Sequence, residues 1–319
     1  MLTSDSKKLK LLRYRGLAMA LVGATLWGLS GTVAQRLFQN EGFTPGWLVT
    51  MRLLISGILL LIIGCFRKNF NQVFAVWNSP KDRIRLVIFG IFGMLGVQYT
   101  YFVAIQTGNA ATATLLQYLA PLFIMVYFAI KYNRIPTFQE FIALGFALLG
   151  TFLLVTNGSI HQLSVSSASI AWGLSSTIAF AFYTLYPSGL LQRWGSEVII
   201  GWGMIIGGIA LFPFASPWKI QGQHWSVITG LLVAFVIIFG TLIAFYLYID
   251  SLQYITPTEA SLLASAEPLS AVAASIIWLR LPLSLFEGIG GLCIVSTVLM
   301  LSLHPKNPSK TLLNKTRRD

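Results

Sequence analysis

Two charged side chains lie where this sequence tolerates charge least. Glu267 sits in Ala264-Ser265-Ala266-Glu267-Pro268, near the middle of one apolar run, and Arg52 lies six residues into another. A carboxylate ionised at the centre of a bilayer costs about 3 kcal/mol on insertion scales, so Glu267 must be protonated, paired or wetted by a cavity. Its chemistry would be to hold a substrate ammonium group or to carry a coupling proton. The bland alternative is a buried acid bonded to nearby backbone. Arg52 could grip a carboxylate with its planar fork. Six residues of helix is only about 9 Å of depth, from which a long side chain can also snorkel to the surface. Glu41 or a lipid headgroup would then be its partner.

A second group has no charge but many unmet hydrogen bonds. Trp27, Gln98, Tyr99, Gln117, Tyr183 and Tyr246 fall within apolar windows, together with Tyr101, Tyr118, Trp172 and Tyr248. Buried amides, phenols and indoles need partners, which a polar organic solute can supply. Tyr132, Trp202 and Trp225 lie near window ends, where aromatic rings anchor to the membrane interface. Pro121 and Pro268 fall near the centres of two windows. Each removes an N–H and displaces the carbonyl four residues earlier, those of Gln117 and Ala264. Freed carbonyls at membrane depth are tolerated where they line a cavity within the protein, so both prolines are expected to mark helix breaks at such a cavity.

The elements that must hold these residues follow from composition. Of 319 residues, 55% are apolar and 10% charged, against about 25% charged in soluble domains. The apolar excess must face lipid. Ten windows are long enough to span it, at about 16–36, 46–66, 84–106, 110–130, 138–156, 166–186, 197–217, 226–249, 258–278 and 284–303. The first is longer than a signal-peptide core and lacks a convincing cleavage site, so it is expected to be retained. The expected fold is an all-α polytopic membrane protein. Its basic N-terminus is 1–15, its two five-helix repeats 16–156 and 166–303, and its basic C-terminus 304–319.

The net charge of +12 suggests nucleic acid until the basic residues are placed. With the N-terminus inside, 18 of 22 fall on inner segments: five at each end, then Arg67, Lys68, Lys81, Arg83, Arg85, Lys131, Arg134 and Arg193. Only Arg36, Lys219 and Arg280 lie outside. That bias predicts both termini in the cytoplasm. The charge is therefore a topology signal, and no nucleic-acid partner is expected.

An internal repeat sets the architecture. A shift of 147 residues aligns Ile91–Ile142 with Ile238–Ile289 without a gap, with 15 identities in 52 positions. Phe92-Gly93 falls on Phe239-Gly240, Tyr99 and Tyr101 on Tyr246 and Tyr248, Pro121-Leu122 on Pro268-Leu269, and Glu140 on Glu287. Each repeat holds five windows, and an odd unit duplicated in tandem must be inverted relative to its twin. Inverted pairs are a recurring transporter plan with the site between the halves near the midplane.

Several motifs now point to one family. Ala24-Thr25-Leu26-Trp27-Gly28, Arg52-Leu53-Leu54, Tyr99-x-Tyr101-x-x-Ala104 and Glu267-Pro268-Leu269 resemble, in order, motifs of the EamA family of the drug/metabolite transporter superfamily. The resemblance runs from about Gly16 to Leu303. It implies a carrier of small metabolites, often amino acids or related compounds, in the bacterial inner membrane, working in the efflux direction. The first half departs from the family pattern with Ala120 where a Glu-Pro-Leu triplet is usual, which tells against a symmetric carboxylate pair.

The expected function is thus a secondary transporter of small metabolites, working by alternating access about a central cavity. Trp27, Arg52, Gln98, Tyr99, Gln117, Tyr183, Tyr246 and Glu267 are its expected substrate-binding residues. The rival is a channel or facilitator for small polar solutes without ion coupling. His161, His224 and His304 lack ligand spacing, Cys65 and Cys293 sit in apolar runs, and there is no phosphate loop. No enzyme activity, metal or cofactor is expected. The expected partners are the substrate, the bilayer and protons as coupling ion, with the chain a monomer or weak homodimer. Glycine groups such as Gly201-x-Gly203 and Gly288-x-Gly290-Gly291 serve close helix packing or, in the last window, a dimer face.

Overall fold

A computed structural model describes residues 2–67, 70–133, 135, 137–159, 164–218, 222–255, 257–282 and 284–303. Lys68, Arg134, His161, Lys219, His304 and the C-terminal basic cluster therefore lie outside the described residues. Among those described, the chain is helical throughout with no strand. The long helices are α1 (Leu2–Gln39), α2 (Pro45–Arg67), α3 (Pro80–Thr107), α4 (Ala110–Lys131), α5 (Phe138–Thr156), α6 (Ser167–Leu185), α7 (Ser196–Leu211) and α8 (Val227–Ser251). Then come α9, in two pieces (Pro257–Ala264 and Ala266–Ile277), and α10 (Leu285–Leu303). Seven of these, α1 to α6 and α8, are long and apolar enough to cross a membrane. The others are shorter apolar helices, so ten full crossings are not established by length alone.

Both helices with a central proline are interrupted beside it. α4 stops at Gln117 and restarts at Ala120, one residue before Pro121, while α9 stops at Ala264 and restarts at Ala266, two residues before Pro268. The repeated Glu140 and Glu287 have a local cause. Glu140 accepts from the Thr137 N–H at 2.7 Å and Glu287 from the Ser284 N–H at 3.0 Å, each closing a capping box at the start of α5 or α10.

Helix pairing follows the repeat. α1 packs on α8 and α9, as α6 packs on α3 and α4, while α2 pairs with α7 and α5 with α10. α3 and α8 each contain a widened π-turn, at Phe89–Leu95 and Phe235–Ile243, again one repeat apart. Such turns inside α-helices often mark functional sites.

Gly150 and Gly290 pack against each other within the chain. A Cβ on Gly150 would stand 2.7 Å from the Gly290 carbonyl, and one on Gly290 2.7 Å from the Gly150 carbonyl. This close α5–α10 seam takes up Gly290 as an intramolecular packing residue, which removes it from the suggested dimer face.

Candidate functional site

Arg52 does not snorkel. It is 4% exposed and packs inward from α2, with its Cζ 4.5 Å from the centre of the Phe102 ring. Its Nε donates to Thr241 Oγ1 of α8 at 2.9 Å. Glu41, the alternative partner, stands 3.9 Å from Arg36 instead. Among the described residues no carboxylate lies within 4.0 Å of Arg52, and neither Nη atom has a hydrogen-bond partner. A buried cation without a counter-ion costs several kcal/mol, so the bundle holds this one at a price that an anion would remove.

Glu267 lies in the first turn of the second piece of α9, half-buried. The Tyr118 hydroxyl has one proton, which it gives to the Ala264 carbonyl at 2.5 Å, and its oxygen lies 3.2 Å from Glu267 Oε2. Ala264 is the residue whose carbonyl Pro268 displaces. The break of α4 thus supplies the donor that satisfies the break of α9, and both breaks meet at Glu267.

Two glycines of α1 bring these parts together. A Cβ on Gly28 would lie 2.2 Å from the Glu267 carbonyl oxygen, and one on Gly31 2.6 Å from the Tyr101 hydroxyl. Three residues apart, they share a helix face. Tyr101 is buried and its hydroxyl is 2.7 Å from Thr114 Oγ1 of α4. Trp27 meets the rings of Phe245 at 4.9 Å and Tyr248 at 5.1 Å, and its buried Nε1 has no partner among the described residues.

The other expected residues divide. Gln98 is buried with no hydrogen bond to the described residues, while Gln117 donates from Nε2 to Ser176 Oγ at 2.6 Å and helps hold the α4 break on α6. Tyr99 meets Trp172 edge-on at 6.1 Å. Tyr183 stacks on Phe89 at 5.6 Å, beside the π-turn of α3. Tyr246 is elsewhere: its hydroxyl accepts from Arg67 Nη2 at 2.5 Å, at the end of α2 where Arg67 also pairs with Glu197 at 2.8 Å and Asp250 at 3.0 Å. Sequence depth placed Tyr246 beside its neighbours, but the next residue but one, Tyr248, is the one that faces Trp27. Thr241 and Ser56 were not anticipated. The only signal for them was their place on the faces of α8 and α2 that meet.

The EamA-like transporter family model matches residues 14–156 and 167–303. The uncharacterized inner membrane transporter YicL of Salmonella typhimurium is 36% identical over 298 residues, 93% of this chain and 98% of that protein. The threonine/homoserine exporter RhtA of Escherichia coli is 28% identical over 254 residues, 78% of each chain. One solved crystal structure shares the fold with a TM-score of 0.61 at 18% identity, covering 90% of this chain and 96% of that one.

Proposed function

Because the chain is a membrane transporter belonging to the EamA-like transporter family, we propose that it is a secondary carrier that exports amino acids or closely related zwitterions. The observation that carries this reading is the unpaired, buried Arg52 held apart from Glu267. A substrate carboxylate would neutralise the Arg52 fork, and its ammonium group would meet Glu267. The identity to an exporter of threonine and homoserine supports the same substrate class and direction.

The two repeats, 16–156 and 166–303, form inverted five-helix units, ten crossings in all, with both termini in the cytoplasm and the chain in the inner membrane. They rock about the space between α1, α3, α4, α6, α8 and α9, while α5 and α10 stay at the periphery as a monomer's outer seam. Glu267 exchanges its proton for substrate, coupling export to the proton gradient. In proteoliposomes the protein gives saturable counterflow of L-threonine or homoserine, where a channel would give conductance without counterflow. Glu267→Gln removes the pH dependence of transport. Unchanged transport and pH dependence in that variant would overturn the coupling.

A further inference from the structure

The contact between α2 and α8 has a hydrogen-bond order that an ordinary helix would not produce. A threonine inside an α-helix bonds the carbonyl four residues back, which for Thr241 is that of Ile237. Here Thr241 Oγ1 donates to the carbonyl five residues back, Val236, at 2.8 Å. The Ile237 carbonyl is taken by Ser56 Oγ of α2 at 3.0 Å. With its single proton committed to Val236, the Thr241 hydroxyl can only accept from Arg52, and it takes the Nε hydrogen at 2.9 Å. Arg52 and Ser56 are one turn apart on the same face of α2. One face of α2 therefore both holds the widened turn open and uses it.

The consequence falls on the far end of the guanidinium. Nε is tied and Phe102 covers the group at 4.5 Å, which leaves the two Nη atoms as a fork without a protein partner among the described residues. Bidentate carboxylate recognition uses such a planar pair of N–H donors. Without the tether, a flexible guanidinium would leave the orientation in which its two Nη donors stand free as a pair. We propose that Thr241 is the positioning residue that keeps Arg52 an open carboxylate receptor, a role that rests on the amino-acid reading above.

The test compares Thr241→Val, Thr241→Ala and Thr241→Ser in proteoliposomes, with L-threonine as the transported probe and its carboxamide as competitor. Loss of a hydrogen bond to a charged group raises the KM for threonine about tenfold or more in Val and Ala, with the maximal rate within about twofold. Ser keeps the hydroxyl and stays near wild type. Competition by the carboxamide, which has no carboxylate for Arg52 to hold, is unchanged in all three. Equal KM values in wild type and Val, a parallel fall in Ser, or an equal shift for the carboxamide would each overturn the proposal. A second arm needs no substrate: phenylglyoxal modification of Arg52, followed by peptide mass spectrometry, is several-fold faster in Val and Ala than in wild type and Ser. Equal rates overturn the positioning role. If wild-type protein shows no threonine counterflow, the amino-acid reading fails and the labelling arm alone decides the role of Thr241.

Discussion

In α3 the widened turn at Phe89–Leu95 is closed with hydrocarbon; in α8 the matching turn, 147 residues on, is held by hydroxyls and a cation. Under that shift Gly90 falls on Ile237, Met94 on Thr241 and Ser56 on Gly203. In the first half a Cβ on Gly90 would lie 3.2 Å from the Gly203 carbonyl oxygen, and Met94 is wholly buried. In the second half the equivalent places hold the Ser56–Ile237 and Arg52–Thr241 bonds. The backbone device is duplicated, while the chemistry is in one copy. The same division holds at the breaks, where Ala120 stands opposite Glu267. A duplicated frame tolerates this because packing fixes the helix positions in both halves.

The sharpest way to break the comparison is to substitute the buried Arg52 at the α8 turn and a buried residue of the α3 turn. Arg52→Met removes the proposed carboxylate fork and is expected to reduce transport by about 100-fold or more, the worth of a bidentate charged contact. The same change raises thermal stability, because replacing uncompensated buried charge with well-packed apolar volume gains about 1–4 kcal/mol. Met94→Leu in the α3 turn changes both by little, a volume-conserving swap costing less than about 1.5 kcal/mol. Counterflow and thermal unfolding in detergent check both variants. An Arg52→Met protein that transports normally would erase the asymmetry.

Next in size are the two glycines that let α1 and α6 approach the breaks. A Cβ at Gly28 would meet the Glu267 carbonyl oxygen at 2.2 Å, whereas one at Gly173 would meet Leu116 Cδ1 at 2.6 Å. Backbone oxygen in a broken helix cannot move aside as a leucine methyl can. Gly28→Ala therefore costs about 1–3 kcal/mol by overpacking and lowers transport, because the second piece of α9 must shift and carry Glu267 with it. Gly173→Ala costs less in both measurements. Equal costs would mean that α9 yields as easily as a side chain.

Much of this frame was legible in the sequence for physical reasons. Proline forbids the bond that would carry α4 and α9 through Pro121 and Pro268, so the breaks could be placed within a few residues. The 147-residue repeat could be read without a gap, and the helix pairing seen in the structure is consistent with it. Arg52 was ambiguous because depth along a helix says nothing of which face it takes, and the face was decided by Thr241 across the interface. Tyr246 and Tyr248 are equally deep in the sequence, yet two residues of rotation put one on Arg67 and the other on Trp27. Thr241 and Ser56 were invisible as site residues, because their roles depend on a π-turn that leaves no clear mark on hydrophobic periodicity.

The smallest contrast concerns the hydroxyls at the two breaks, Tyr118 and Ser265, which also correspond under the shift. The Tyr118 hydroxyl donates to the Ala264 carbonyl and stands beside Glu267, whereas Ser265 Oγ is buried without a partner among the described residues. Tyr118→Phe leaves the displaced Ala264 carbonyl without its donor and removes the hydroxyl beside Glu267, costing about 1–3 kcal/mol. Ser265→Ala removes an unmet hydroxyl and is neutral or slightly stabilising. Thermal unfolding of the two single variants measures the difference directly. If Tyr118→Phe were neutral, the α9 break would be satisfied by some other donor, and the link between the two breaks would not be what holds Glu267 in place.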